Sequence, residues 1–174
     1  FGSSFITPGL RIEDCHLSAA GQAVMFGGDR SHSADRVPSL VSMDHCDCTK
    51  QEAWLTQGWQ IRCAIEAKNV KGWTIKNSTA QWAGTSDGQA GYLFVITPRN
   101  QYKDEPWTVV KDILVENVHA RYGCGCINFM GTDNLAESQK TSKIRFSNVQ
   151  FDEIDKLGPC KLSQEQGAGR MFLF

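Results

Sequence analysis

Ile113-Leu114-Val115-Glu116-Asn117-Val118-His119-Ala120-Arg121, ILVENVHAR, sets apolar residues at 113 and 115 and an amide at 117. Apolar residues at alternate positions mark a strand with one buried face, and the amide marks its corner. The same apolar-x-apolar-x-(Asn/Asp) pattern recurs in LRIEDCHLS (10–18), LVSMDHCDC (40–48), WTIKNSTAQ (73–81) and IRFSNVQFD (144–152). It puts Asp14, Asp44, Asn77, Asn117 and Asn148 at equivalent places, 30 to 40 residues apart.

Each of the first four repeats carries a second apolar segment that also ends in a polar corner. These are AVMFGGD to Asp29, CAIEAKN to Asn69, YLFVITPRN to Asn100 and CINFMGTD to Asp133, while the fifth repeat ends in RMFLF. Two strands per repeat with loops of changing length are what a β-solenoid looks like when its loops have drifted. Stacking the repeats aligns Leu10, Leu40, Trp73, Ile113 and Ile144 in one inward column. Ile12, Ser42, Ile75, Val115 and Phe146 make the next, with Ser42 out of character. The Asn/Asp residues would then form a corner ladder, since stacked amides at a bend can satisfy turn backbone that strands cannot.

The 174 residues are 41% hydrophobic and 21% charged, enough for one sizeable core. Eighteen basic against nineteen acidic residues, a net charge of -1, leave no footprint for nucleic acid or an anionic membrane, so neither is expected as a partner. The chain starts at Phe1 without a signal-peptide pattern, and we expect a mature fragment or an excised piece. Seven cysteines leave at least one thiol unpaired within the chain. Cys46-Asp47-Cys48 and Cys124-Gly125-Cys126 have C-x-C rather than C-x-x-C spacing, so packing is preferred over metal and no metal site is expected.

The segments EDCHLSAAGQAVMFGGDR (13–30), GWTIKNSTAQWAG (72–84), GYLFVITPRNQ (91–101), PWTVVKDILVENVHARYGCGCINFMGTDN (106–134) and GRMFLF (169–174) resemble a family of right-handed parallel β-helix repeat proteins. That family is often grouped with the pectin-lyase-like superfamily. The resemblance implies an all-β fold: a right-handed parallel β-helix (β-solenoid) of about five coils, residues 1–174 forming a single domain. We expect a fragment of a longer solenoid, because neither end carries a polar cap. The family has no settled activity, so the resemblance implies a fold more than a function.

The candidate binding groove is the corner row Asp29, Asn69, Arg99, Asn100 and Asp133. Arg99 is the candidate catalytic base if the chain is a polysaccharide lyase, the one case in which Ca²⁺ is expected as a cofactor. A glycoside hydrolase would need two carboxylates roughly 5–9.5 Å apart, which the strand columns do not supply. The loop carboxylates Asp87, Asp104, Glu105 and Glu137 could converge. Lys76 beside Glu116 and Arg121 beside Asp152 read as cross-strand charge pairs, and Arg99 with Asp133 as an exposed one. His16, Cys46, Thr79 and His119 fall in one column, with the two histidines too far apart for one metal. The sequon Asn77-Ser78-Thr79 is placed at an inner corner and expected to be unused.

Trp54, Trp59, Trp82, Tyr92, Tyr102, Trp107 and Tyr122 lie in loops or near corners, where they would either stack sugar rings or cover the flanks. The expected function is a secreted or surface polysaccharide-binding module, with degradation of the ligand as its enzymatic version. The alternative is a structural solenoid of a larger assembly, such as a phage tail spike or extracellular filament, with homo-oligomers or axial stacking as its partners.

Overall fold

The computed structural model describes residues 2–3, 9–84, 91–154 and 170–174. Every strand pairing in it is parallel. One sheet has six strands in the order β1 (Gly2–Ser3), β4 (Gln22–Phe26), β7 (Cys63–Ala67), β10 (Tyr92–Ile96), β12 (Gly125–Phe129) and β14 (Arg170–Leu173). The other has eight. One arm runs β2 (Arg11–Glu13), β5 (Ser39–Asp44), β8 (Val70–Lys76), β11 (Val110–Gly123), and returns through β9 (Thr79–Ala83), β6 (Asp47–Cys48) and β3 (His16–Leu17). Strand β13 (Ser142–Ile154) pairs with β11.

The expected single stack, a right-handed parallel β-helix or β-solenoid of about five coils on pectin-lyase-like lines, is corrected by this order. The strands form two separate parallel sheets, and the eight-stranded one curls into a half-barrel whose order doubles back through β11. The physical reason lies in β11. Its fourteen residues run unbroken through the corner at Asn117, so its first half pairs with β8 and its second with β9. All-parallel pairing is ordinarily found where crossover helices cover the sheets. Among the described residues the helical turns are two short 3-10 stretches, Ala34–Arg36 and Glu52–Leu55, and the two sheets cover each other.

The bends come from residues in the left-handed region, which recur in register. Asp14, His45, Asn77, Asn117 and Asn148 have φ of 52°, 49°, 46°, 54° and 51°. Leu40, Asp112 and Lys143, with Gly9 and Gly72, make a second set, and Trp82, Tyr122 and Glu153 a third. A positive φ reverses the pleat locally, so each set turns several neighbouring strands together.

This corrects the expected register of the second repeat. Val41 and Met43, not Leu40 and Ser42, oppose Trp73 and Ile75. Leu40 sits at a bend, 68% exposed, and Ser42 takes the outer column beside Arg11 and Thr74. The corner residue of that repeat is therefore His45, one place beyond Asp44.

The core lies between the sheets. Phe26 meets Trp73 edge-on at 4.7 Å and Phe94 meets Phe146 at 5.5 Å, with Val24, Met43, Ile75, Val115 and Ile127 filled in around them. Burying such side chains contributes about 1.5–3 kcal/mol each. Cys48 belongs to this core, its sulfur 3.9 Å from that of Met43.

Candidate functional site

The corner row of the six-stranded sheet is built but turned inward. The Asp133 side chain is fully buried and accepts hydrogen bonds from the Asn100 N–H (2.7 Å), the Leu135 N–H (2.9 Å) and Arg99 Nη1 (2.6 Å). Arg99 also donates to Asn134 Oδ1 at 3.0 Å. The pair is thus not the exposed one expected, because its carboxylate is shut from water. Asn100 accepts from the Glu105 N–H through Oδ1 and donates to the Glu137 carbonyl. Asn69 Oδ1 accepts from the Val109 N–H.

Glu105 joins this network rather than a groove. It is 5% exposed and accepts from the N–H groups of Ser31 and His32 and from Ser31 Oγ. Trp107 Nε1 donates to the same Ser31 oxygen. Asp104 pairs with Arg30, which covers the Tyr102 ring at 4.1 Å. Asp29 is exposed and accepts from the Arg30 N–H. Asp87 lies outside the described residues. The row ties three loops to the sheet, and four of its polar groups, Asn69, Arg99, Asn100 and Asp133, are engaged with protein partners.

An open polar face lies elsewhere, on the returning arm of the eight-stranded sheet. Ala80, Ala120 and Phe151 point into the core, so their neighbours in each strand point out. Across β3, β6, β9, β11 and β13 the outward column reads His16, Asp47, Thr79, His119 and Gln150. Beside it run Gln81, Arg121 and Asp152. The expected column of His16, Cys46, Thr79 and His119 is corrected by one residue, since Cys46 faces inward and Asp47 faces out.

Hydrogen bonds organise this face into three groups. Thr79 Oγ1 donates to Asp47 Oδ1, and His16 Nδ1 lies 3.0 Å from Asp47 Oδ2. His119 Nε2 lies 2.7 Å from Asp152 Oδ2, which also accepts from Gln150 Nε2. Arg121 Nε donates to Gln81 Oε1 at 3.3 Å, so Asp152 pairs with His119 rather than with the expected Arg121. The pair Lys76–Glu116 forms at 2.9 Å on the other arm.

Two aromatic rings border the face. Trp82 and Tyr122 follow Gln81 and Arg121 and take the left-handed conformation, with φ of 64° and 61°. That turns them onto one another at 4.4 Å and 17°, with the Arg121 guanidinium 4.9 Å over the Tyr122 ring. On the opposite border runs the amide ladder: Asn148 Nδ2 donates to Asn117 Oδ1, Asn117 Nδ2 to Asn77 Oδ1, and Asn77 Nδ2 to Asp44 Oδ1. Asn77 is exposed, not at an inner corner, and both ends of its amide are engaged.

The sequence named Trp82 and Tyr122 only among seven aromatics. What singles them out is the pattern Gln-Trp and Arg-Tyr at equivalent places of neighbouring repeats, Gln81-Trp82 and Arg121-Tyr122. Among the described residues no group of three His, Cys, Asp or Glu side chains could hold a metal ion. Cys124 is disulfide-bonded, while Cys15, Cys46, Cys48, Cys63 and Cys126 are free thiols. Burial pushes the Cys48 and Cys126 thiols up to about 12, which leaves them unreactive.

Comparison with family models, with curated proteins and with solved structures finds no match. Function is therefore argued from the site itself.

Proposed function

We propose that this chain is an extracellular or surface polysaccharide-binding module whose ligand lies across the returning arm of the eight-stranded sheet. One observation carries the reading: the Trp82–Tyr122 stack stands beside a row of Gln81, Arg121, His119, Asp152 and Gln150. A sugar ring offers an apolar face and a rim of hydroxyls, and this arrangement offers a ring surface next to amides, imidazole and carboxylate at strand spacing. The disulfide at Cys124 supports an oxidising compartment.

Binding is favoured over cleavage. The two carboxylates of the face, Asp47 and Asp152, stand on β6 and β13, three strand intervals apart and so roughly 14 Å from each other. Glycoside hydrolysis needs them within roughly 5–9.5 Å. Arg99, the candidate lyase base, is held by Asp133 and Asn134.

Edge chemistry opposes the alternative of a self-stacking structural rod. Setting β13 of one copy on β2 of the next, in the register used throughout the sheet, brings Arg145 against Arg11 and the Asn148 amide oxygen against the Asp14 carboxylate. Like charges directly opposite destabilise a strand pair, and two acceptors cannot bond.

Calorimetric titration of the full chain with a panel of neutral and acidic polysaccharides tests the reading, with product analysis of the same mixtures. Saturable binding without new reducing ends or unsaturated products is expected. An absence of binding across the panel would overturn the proposal, and product release would overturn the preference for binding.

A further inference from the structure

Cys15 and Cys46 occupy matching places on adjacent strand pairs. The registers on either side, Glu13 with Asp44 and His16 with Asp47, set the two residues directly opposite each other. The Asp47 N–H donates to the Cys15 carbonyl at 2.8 Å, which closes the two chains at that point. Both thiols take the same pose, each donating to the carbonyl two residues before it: Cys15 Sγ to Glu13 at 3.0 Å and Cys46 Sγ to Asp44 at 3.3 Å. Cys46 Sγ also reaches the carbonyl of Ile12, on the strand that leads to Cys15, at 3.4 Å.

We propose that Cys15 and Cys46 are a disulfide-forming pair that staples β2 and β3 to β5 and β6. Neighbouring parallel strands lie about 4.8 Å apart, inside the roughly 4.4–6.8 Å between Cα atoms that a disulfide spans. Side chains in register on parallel strands also keep their Cβ atoms about 4.8 Å apart, so closing to the roughly 3.5–4.5 Å that a disulfide needs takes a small approach of the two strands as well as side-chain rotation. The pair is distinct from the remaining free thiols: Cys48, Cys63 and Cys126 have no cysteine opposite them in register, facing Leu17 and Ala80, Gln22 and Tyr92, and Leu93 and Met171 respectively.

The position gives the bond a purpose. Strands β2 and β3 have only three and two residues and lie at the two ends of the strand order of their sheet. Few hydrogen bonds hold them, so these ends open first unless they are tied. Cys15 is the more exposed partner and the point of entry for an oxidant. With oxidised glutathione, the Cys15 thiolate attacks the glutathione disulfide and expels one glutathione thiolate, which takes up the proton. Cys46 then loses its proton, attacks the Cys15 sulfur and expels the second glutathione. Two protein thiols become one disulfide as one glutathione disulfide becomes two thiols.

The test is equilibration of the full chain with oxidised glutathione, then alkylation in denaturant and non-reducing peptide mapping. Alkylated cysteines are expected to fall by two, with one new cross-link joining the Cys15 and Cys46 peptides. Hydrogen exchange at the Asp47 amide is expected to slow about tenfold in the oxidised form. Cys46→Ser abolishes both changes and still folds, because Ser78 holds the equivalent place in the next repeat and donates to the Lys76 carbonyl. Cys15→Ser serves as the second variant. Unchanged alkylation, or lost thiols that map to any other pair, would overturn the proposal.

Discussion

Asp133 shows how one residue decides between a groove and a tether. Its carboxylate has no solvent contact and accepts from three donors, two of them backbone N–H groups that no other acceptor replaces. Asp133→Ala leaves the Asn100 and Leu135 N–H groups unpaired and takes from Arg99 its buried carboxylate, leaving it Asn134, and a loss of about 2–4 kcal/mol is expected by urea unfolding. Polysaccharide affinity should remain unchanged. Lys50 makes a second test. It is 2% exposed, with Nζ bound to the carbonyls of Gly21 (2.6 Å) and Cys63 (2.7 Å), and burial pulls its pKa down to about 8. Between that value and the ordinary one near 10.5 the unfolded chain binds the extra proton, so this residue's contribution to stability rises with pH across the window. Against Lys50→Met, the native chain should gain up to about 3 kcal/mol between about pH 8 and 10.5, measured as the difference between their unfolding free energies. The buried thiols shift in the opposite sense above their ordinary range, but they are common to both proteins.

At the scale of the element, the bends are where sequence reading met its limit. Alternation in WTIKNSTAQ, ILVENVHAR and IRFSNVQFD was legible because one face of each strand is buried, and their mutual register follows from it. Asn77, Asn117 and Asn148 were legible as corners because an amide tolerates a left-handed backbone and can bond along the row. Leu40, Trp82 and Tyr122 carry no such signal, since a bulky side chain is not expected at positive φ. Missing Leu40 slipped the second repeat by one residue; missing Trp82 and Tyr122 hid the border of the open face. The curl of the sheet was also out of reach, because it depends on β11 pairing on both sides of one corner. Two substitutions check the corrected register. Val41→Ala should cost about 2 kcal/mol because Val41 is buried against the core, whereas Leu40→Ala should stay within about 0.5 kcal/mol. Asn117→Ala removes both ladder bonds at a left-handed residue and should cost about 1–2 kcal/mol, with Asn117→Gly recovering part of it.

For the whole molecule, the two sheets cover each other, the polar groups of the corner row bond inward, and among the described residues the returning arm of the eight-stranded sheet carries an open polar face. The opposed Arg11 and Arg145 edges predict a monomer by light scattering at concentrations where polysaccharide binding is measured. Larger particles that grow with concentration would favour the structural alternative. The most direct test of the account compares Trp82→Ala with Asn100→Ala in titrations with the polysaccharide that binds the native chain best. Trp82→Ala should weaken binding about tenfold, the loss of one aromatic platform, while Asn100→Ala lowers stability and leaves affinity within about twofold. Equal affinity of Trp82→Ala and the native chain, with the loss falling on Asn100→Ala, would contradict the account and return the site to the corner row.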